Sequence, residues 1–322
     1  MRTDRGESMY KKASARRPVF FSRQRLAGWV WALLRFVIIF GISFMILYPI
    51  LVKGITAVKG PDDLYDPAVL YIPKEPTLSN FRIVAQSVHY FRTLGFTAVY
   101  TFVLSFLQTA SCTLVAYGFA RFRFPFKRLI FSLVIFTLVV PTQAILLPLY
   151  IRFQFFNPLQ MFNFTQLSGI SLNNTPIPFI LLSVFAVGFK NGLYIYLLRQ
   201  YFINMPVALE EAAYIDGCGH FRTFAKIMLP SAVPMLLTVF LFAFVWQWND
   251  YYYTSTLAPN MPVLSKLLMG INFNTLDSLS GSLLSSSLQS PKFLLLIAPL
   301  IVLYCFTQRF FTESISRSGI VG

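Results

Sequence analysis

The sequence predicts an all-α membrane protein with about six transmembrane helices, and three observations carry that expectation. The 322 residues are 56% hydrophobic and 17% aromatic but only 12% charged, about half the charge of a soluble domain. Mean hydropathy is +0.62, and the apolar residues fall in blocks close to twenty residues long, the length a helix needs to cross a hydrocarbon layer about 30 Å thick. Lys and Arg gather at the flanks of these blocks, the pattern of a chain whose basic loops stay on the cytoplasmic side.

The blocks predict spans at about 31–54, 94–118, 129–150, 177–199, 231–252 and 293–311. The first follows a basic segment ending at Arg25; no small-residue cleavage site follows it, so it reads as an uncleaved helix behind a basic cytoplasmic tail. Residues 55–92, with Asp62, Asp63, Asp66, Tyr65, Tyr71 and several prolines, read as an outer loop. Arg121, Arg123, Lys127 and Arg128 place the loop between the second and third spans inside. Residues 151–176, rich in Asn, Gln and Thr, read as a second outer loop. Arg199, Arg222 and Lys226 place the next connection inside. Within 253–291, Leu279–Leu288 reads as a surface loop or short interfacial helix, and Arg309 and Arg317 keep the C-terminus with the N-terminus in the cytoplasm. Pro49, Pro141, Pro148, Pro234 and Pro299 do not exclude helix, because neighbouring helices can satisfy the freed backbone groups.

Several classes fall away. The net charge of +15 is spread along membrane flanks, which excludes nucleic acid as a partner. Cys112, Cys218 and Cys305 form no CxxC pair, disulfide framework or zinc site. His89 and His220 fall in loops on opposite sides of the membrane and cannot share a metal, which counts against a membrane-embedded enzyme. There is no Gly-x-x-x-x-Gly-Lys-[Ser/Thr] run, hence no P-loop for ATP.

The most informative stretch is Asn204–Pro230. Asn204 suits a helix N-cap and Pro206 a first turn. Glu210 and Glu211 then sit at the positive end of a helix dipole. Ala212 and Ala213 make a surface small enough for another protein to approach closely, and Gly217 and Gly219 end the helix. A short polar helix between two spans answers no need of the bilayer, so a partner protein is expected to bind it.

These residues carry a resemblance. Glu211-Ala212-Ala213, Gly217, Ile227 and Leu229-Pro230 have the order and spacing of the E-A-A signature of ABC importer permeases. The likeness extends along most of the chain and is similar to the second permease of carbohydrate importers of the maltose transporter family. It includes Pro76–Phe81, Ala116–Phe122, Pro141-Thr142-Gln143, Leu198–Phe202, Trp248-Asn249-Asp250 and the tail Gln308–Gly322. The resemblance implies the type I importer permease fold, with a basic tail over 1–26, a permease domain over 27–311 whose coupling loop covers about 200–230, and a C-terminal tail over 312–322. It implies a non-catalytic chain that binds no cofactor. ATP and magnesium would sit on two copies of a separate ABC ATPase. A second permease, an extracytoplasmic binding protein, a carbohydrate and membrane lipid complete the partners. Glu210, Glu211, Ala212, Ala213, Asp216, Gly217, Ile227, Leu229 and Pro230 become the coupling residues, with Glu211 anchoring the docked helix and Leu229-Pro230 starting the fifth span. Two departures from the family pattern are a longer basic tail and an enlarged loop at 151–176.

Candidate path residues come from polar groups inside the blocks. Lys190, beside Asn191, would lie roughly 20 Å along a helix from Ile177, past the midplane. It reads either as a path or interface residue or as a lysine that snorkels from a misplaced span. Trp246, Gln247, Trp248, Asn249 and Asp250 combine aromatic faces with hydrogen-bonding groups, as a sugar site does. An aromatic belt continuing into Tyr251–Tyr253 is the preferred reading of that cluster. Gln108 and Gln143 read as interhelical hydrogen-bonding residues. A stand-alone secondary transporter or channel is the alternative function, and Lys190 is what speaks for it.

Overall fold

The computed structural model describes residues 23–60, 62–63, 66, 68–157, 169–271 and 279–318, without the side chains of 23–27, 279–286 and 309–318. Most of the expected basic tail, Tyr65, part of the loop expected at 151–176 and the last four residues lie outside the described residues. By contacts the chain forms two units, residues 1–52 and 53–322. The first is the body of helix α1 (Arg23–Ala57). An apolar helix of that length suits a lipid surrounding.

The second unit opens with a tied-down loop. Lys59 donates to the Val69 and Leu70 carbonyls at 2.5 and 3.0 Å. Asp63 accepts the backbone N–H groups of Lys74 and Glu75, and Asn80 donates to the carbonyls of Ala57 and Lys59. The Lys74 ammonium, 2.6 Å from Asp66, holds that exposed carboxyl below its ordinary range.

Helix α2 (Ser79–Ser87) leads into α3 (Tyr90–Arg121), which runs through the middle of the unit. The buried face of α3 is a stripe of small and polar residues, among them Thr93, Thr97, Ser105, Gln108, Thr109, Cys112, Thr113 and Ala116. Small residues let helices approach closely in lipid, where no hydrophobic force drives them together. The hydroxyls of Thr97, Thr109 and Thr113 are satisfied within the helix, each donating to the carbonyl four residues back at 2.6–2.8 Å.

The next two expected spans are broken. The block at 129–150 forms α4 (Lys127–Val139) and α5 (Thr142–Gln154), bent by 103°. Val140 and Pro141 are extended, because proline pushes its predecessor out of helix and offers no N–H of its own. The block at 177–199 forms α6 (Ile177–Val184) and α7 (Asn191–Asn204) instead of one rod. Ala186 and Lys190 in the gap have left-handed backbones, with φ of 54° and 64°. The polar face of α3 supports this gap: Gln108 donates to the Phe189 carbonyl at 2.8 Å and Ser111 to the Ser183 carbonyl at 2.6 Å. Irregular backbone at membrane depth persists where protein groups satisfy it in this way.

Helix α7 packs on α4 through Gly192. A Cβ there would stand 2.5 Å from Thr137 Oγ1 and 2.8 Å from the Val134 carbonyl oxygen. Gly192→Ala is therefore expected to destabilise the protein by about 1–3 kcal/mol, the usual cost of overpacking. A melting curve in detergent reads this directly, and an unchanged midpoint would show that the α4–α7 contact yields freely.

After α7 come α8 (Ala208–Ile215), α9 (His220–Thr223), a π-helical turn at Phe224–Met228, α10 (Leu229–Ser231) and α11 (Val233–Asn249). The segment His220–Ser231 meets α11 at a 75° bend. Leu229-Pro230 thus precedes the bend and does not start the membrane helix, which begins at Val233 with Pro234 in its first turn. Helices α12 (Tyr252–Leu257) and α13 (Leu264–Gly270) lead to α14 (Leu279–Ser318). Leu279–Leu288 is not a loop or a separate short helix but the first turns of that 40-residue helix.

Pro299 cannot donate to the Leu295 carbonyl, and the Tyr90 hydroxyl does so instead at 2.9 Å. Beside it, the Trp248 indole N–H donates to the Leu296 carbonyl at 3.0 Å. Among the described residues three helices are long and apolar enough to cross a membrane, or up to five spans if each bent pair counts as one.

Candidate functional site

Two places bring the candidate residues together: the loop helix α8 and a polar cavity between the broken helices.

Helix α8 begins differently from its expected form. Asn204 is the last residue of α7, not the cap of α8. The turn is started by backbone bonds from Leu209 to Pro206 and from Glu210 and Glu211 to Val207. At the C-terminus Gly217 ends the helix, whereas Gly219 takes no part in the cap. Gly217 has φ of 78°, its N–H donates to the Tyr214 carbonyl, and the Cys218 N–H donates to the Ala213 carbonyl. This pair of bonds is a Schellman cap, which needs a left-handed residue at that position. Gly219 is extended and precedes α9. Across the turn the Tyr214 hydroxyl and His220 Nδ1 lie 2.9 Å apart.

The helix splits its signature residues between two faces. Glu211, Ala212, Ile215 and Asp216 are exposed, Ile215 to 86%. Glu210 and Ala213 are buried. Ala212 and Ala213 therefore do not share the one surface that was expected, because successive residues on a helix point about 100° apart. The Glu210 carboxylate lies 3.1 Å from Arg121 Nε and accepts from the Tyr117 hydroxyl at 3.1 Å. Arg121 also donates to the Met205 carbonyl at 2.8 Å. Tyr117 packs against Phe224 and Phe202, with ring centroids 4.7 and 5.5 Å apart. Ile227 and Leu229 are half-buried and Pro230 is exposed.

Sequence reasoning missed Arg121 and Tyr117 as members of this site. Both lie in the Ala116–Phe122 segment, where the sequence by itself reads Arg121 as a basic flank. A cation one turn beyond a span, with an acidic loop helix elsewhere in the chain, was the signal available.

The second place is a cavity of about 280 Å³ lined by Gln108, Lys190, Trp246, Gln247, Asn249 and Asp250. A neighbouring groove of about 760 Å³ shares Lys190 and Trp246 and adds Asn191. Lys190 sits at the helix break, and its ammonium lies 4.6 Å from the centre of the Trp246 ring. A cation over an indole face is electrostatically favourable, and more so away from water. Gln108 donates to Asn191 Oδ1 and accepts from Gln247 Nε2 at 3.4 Å, an interhelical network of the expected kind.

The five residues from Trp246 to Asp250 do not act as one cluster. Trp246 is 54% exposed in the cavity, whereas Trp248 is buried against α14. Asp250 accepts from the Tyr253 and Thr254 N–H groups and the Thr254 hydroxyl, capping α12. Asn249 donates to the Val245 carbonyl. Tyr253, expected in an aromatic belt, is buried and donates to the Thr142 carbonyl at 2.9 Å. Gln143, expected to bond between helices, is exposed and faces the same cavity.

A helical membrane chain with broken spans, a capped loop helix between two of them and a polar cavity beside the breaks has the build of a transport permease. The chain belongs to the binding-protein-dependent transport system inner membrane component family, which it matches over residues 112–314, well over half its length. It is 27% identical to the maltodextrin transport system permease protein MdxG of Bacillus subtilis over 284 residues, covering 87% of this chain and 93% of that one. It is 26% identical to the arabinooligosaccharides transport system permease protein AraQ of Halalkalibacterium halodurans, covering 87% and 93%. The fold is also that of a chain in the crystal structure of a bacterial ABC transporter involved in the import of the acidic polysaccharide alginate, with a TM-score of 0.64, 22% identity and 91% of this chain covered. The protein is thus a multi-pass permease subunit of an ABC transport system in the plasma membrane, which sets aside the stand-alone transporter or channel.

Proposed function

We propose that this chain is one of two different permeases in a sugar importer, with its coupling surface on the exposed face of α8. The carrying observation is the division of that helix. Glu210 and Ala213 fasten it inward, while Glu211, Ala212 and Ile215 form an outward face that no other described residue covers. Phe221 beyond the turn adds exposed apolar surface, 79% open. Exposed apolar residues around a charged one suit a protein partner better than water. The partner is an ABC ATPase, present twice in the assembly, which holds ATP and magnesium. This permease itself binds no cofactor. Glu211 makes polar contacts to the ATPase, and Gly217 sets the angle at which the chain leaves the docked helix.

The substrate is a carbohydrate delivered by an extracytoplasmic binding protein. Relatives named for maltodextrin and arabinooligosaccharides support this reading. So does a cavity that pairs the Trp246 face with Gln108, Gln247, Asn249 and Lys190, since a sugar presents apolar C–H faces and hydroxyls together. Alternating access follows from ATP-driven closure of the two ATPases, passed through α8 to the spans. Both termini lie in the cytoplasm, as the basic flanks indicate.

Purification in mild detergent, with every accompanying chain identified, tests the assembly. A second multi-span permease and a P-loop ATPase are expected to come with it. Recovery of this chain alone, transporting sugar in liposomes without ATP, would overturn the reading. Glu211→Lys is expected to lose most of the ATPase from that preparation while the permease pair persists, because charge reversal at a docked contact costs several kcal/mol.

A further inference from the structure

We propose that the buried cluster of Glu210, Arg121 and Tyr117 is the latch that transmits movement of α8 to the central helix α3. The two adjacent glutamates then have opposite tasks: Glu211 faces the partner chain, and Glu210 holds the protein's own membrane helix. The inference rests on α8 being the coupling helix.

The backbone joins α8 to its neighbours only through short non-helical segments. On one side α8 is joined to α7 through Met205, Pro206 and Val207, outside either helix. On the other it is joined to α9 through Asp216–Gly219, with Gly217 left-handed and Gly219 extended. Both joints lie outside helix, so a side-chain connection gives a force on α8 a second, direct route to the membrane helices. The Glu210 carboxylate supplies one. It meets Arg121 at 3.1 Å and the Tyr117 hydroxyl at 3.1 Å, and both belong to α3. The side chains of Arg121 and Glu210 are only 11% and 8% exposed.

Arg121 extends the connection. Its second guanidinium nitrogen holds the Met205 carbonyl, where α7 ends. Arg199 of α7 in turn donates to the Phe119 carbonyl near the end of α3 at 3.3 Å. The ends of α3 and α7 are thus tied to each other and to α8 in one knot. From there α3 runs to Gln108, which supports the helix break beside the cavity. A buried ion pair adds little net stability compared with apolar packing, yet removing one partner strands a charge. That balance fits a positioning contact better than a stabilising one. Glu210 is equally unsuited to docking, because its carboxylate is already covered and engaged.

The test uses the complete complex purified with this chain and reconstituted in liposomes. Val187→Cys, exposed in the groove beside the cavity, serves as a reporter in a chain with Cys218 and Cys305 replaced by serine; Cys112 is buried and stays. The readouts are the ATPase retained on purification, the hydrolysis rate, and the thiol-labelling rate of the reporter without nucleotide and after trapping with ATP and vanadate. Glu210→Gln is expected to retain the ATPase and its hydrolysis but to shrink the nucleotide-dependent change in labelling about five-fold or more, the lower end of an allosteric coupling. Tyr117→Phe, which removes one hydroxyl, is expected to act in the same direction and covers the case in which Glu210→Gln does not assemble. Glu211→Gln is expected to show the reverse pattern, with ATPase lost from the complex. Loss of the ATPase in Glu210→Gln would make Glu210 a docking residue and overturn the latch. A full labelling change in both Glu210→Gln and Tyr117→Phe would also overturn it. Absence of ATPase, or of any nucleotide-dependent labelling, in the unsubstituted complex would overturn the proposed function itself and the latch with it.

Discussion

Gly217→Val is expected to cut ATP-driven uptake about ten-fold or more while the chain still inserts and folds. Space is not the obstacle, since a Cβ at Gly217 would meet no atom within 4 Å. The obstacle is the backbone. At φ of 78° an ordinary L-residue costs about 1–2 kcal/mol, and a β-branched one is still less at ease there. Relief of that strain breaks the bonds from Gly217 to Tyr214 and from Cys218 to Ala213. The last turn of α8 then frays at the edge of its exposed face. A loss of 1.4 kcal/mol in the docked geometry is enough for the ten-fold effect. Gly217→Asn separates conformation from mere substitution, because asparagine tolerates the left-handed region. It is expected to recover much of the lost uptake. Equal uptake by the Gly, Asn and Val forms would mean that the cap does not set the coupling geometry.

Gln108→Leu is expected to lower stability by about 2–4 kcal/mol, the cost of leaving two or more buried polar groups without partners. The Gln108 amide holds the Phe189 carbonyl and the Asn191 side chain, and its oxygen accepts from Gln247. The Asn191 side chain is buried and Gln108 itself is 1% exposed, whereas Phe189 and Gln247 also border the cavity. Removal leaves the gap between α6 and α7 without its main support at membrane depth. Thermal unfolding in detergent, compared with Ser111→Ala at the same gap, reads the effect. Ser111→Ala removes one bond to Ser183 and is expected to cost only about 1 kcal/mol. An unchanged melting temperature in Gln108→Leu would mean that water or lipid headgroups, not α3, satisfy the break.

The two sites were legible to different degrees. The end of α8 could be read because every interaction in it is local: Ala213, Tyr214, Gly217 and Cys218 form the cap among themselves. Its beginning was misread, since Asn204 closes α7 through helix that continues from the membrane side. The facing of Glu210 was beyond sequence reasoning because its partners are Tyr117 and Arg121, about ninety positions away. The polar residues near the cavity could be named from their presence in apolar blocks. Their division could not: Trp246 and Trp248 are two residues apart on one helix, so one faces the cavity and the other packs on α14.

Proline shows the same limit. Pro148 and Pro299 lie inside helices, whereas Pro141 marks a 103° bend. The ring and the missing N–H are identical in all three. At Pro299 a tyrosine from another helix satisfies the freed carbonyl, and no feature near Pro299 in the chain announces it. The break at 185–190 contains no proline at all, and it depends on Gln108 and Ser111 from α3.

By itself, then, the sequence determined the membrane class, the helices whose apolar length leaves no other choice, the loop helix and its glycine stop, because each follows from composition or from residues within one or two turns. The tertiary structure decided where spans break, which glutamate turns inward and which side chains reach the cavity. Those outcomes depend on carbonyls, hydroxyls and charges that must find partners inside a low-dielectric interior, and the partners come from distant parts of the chain.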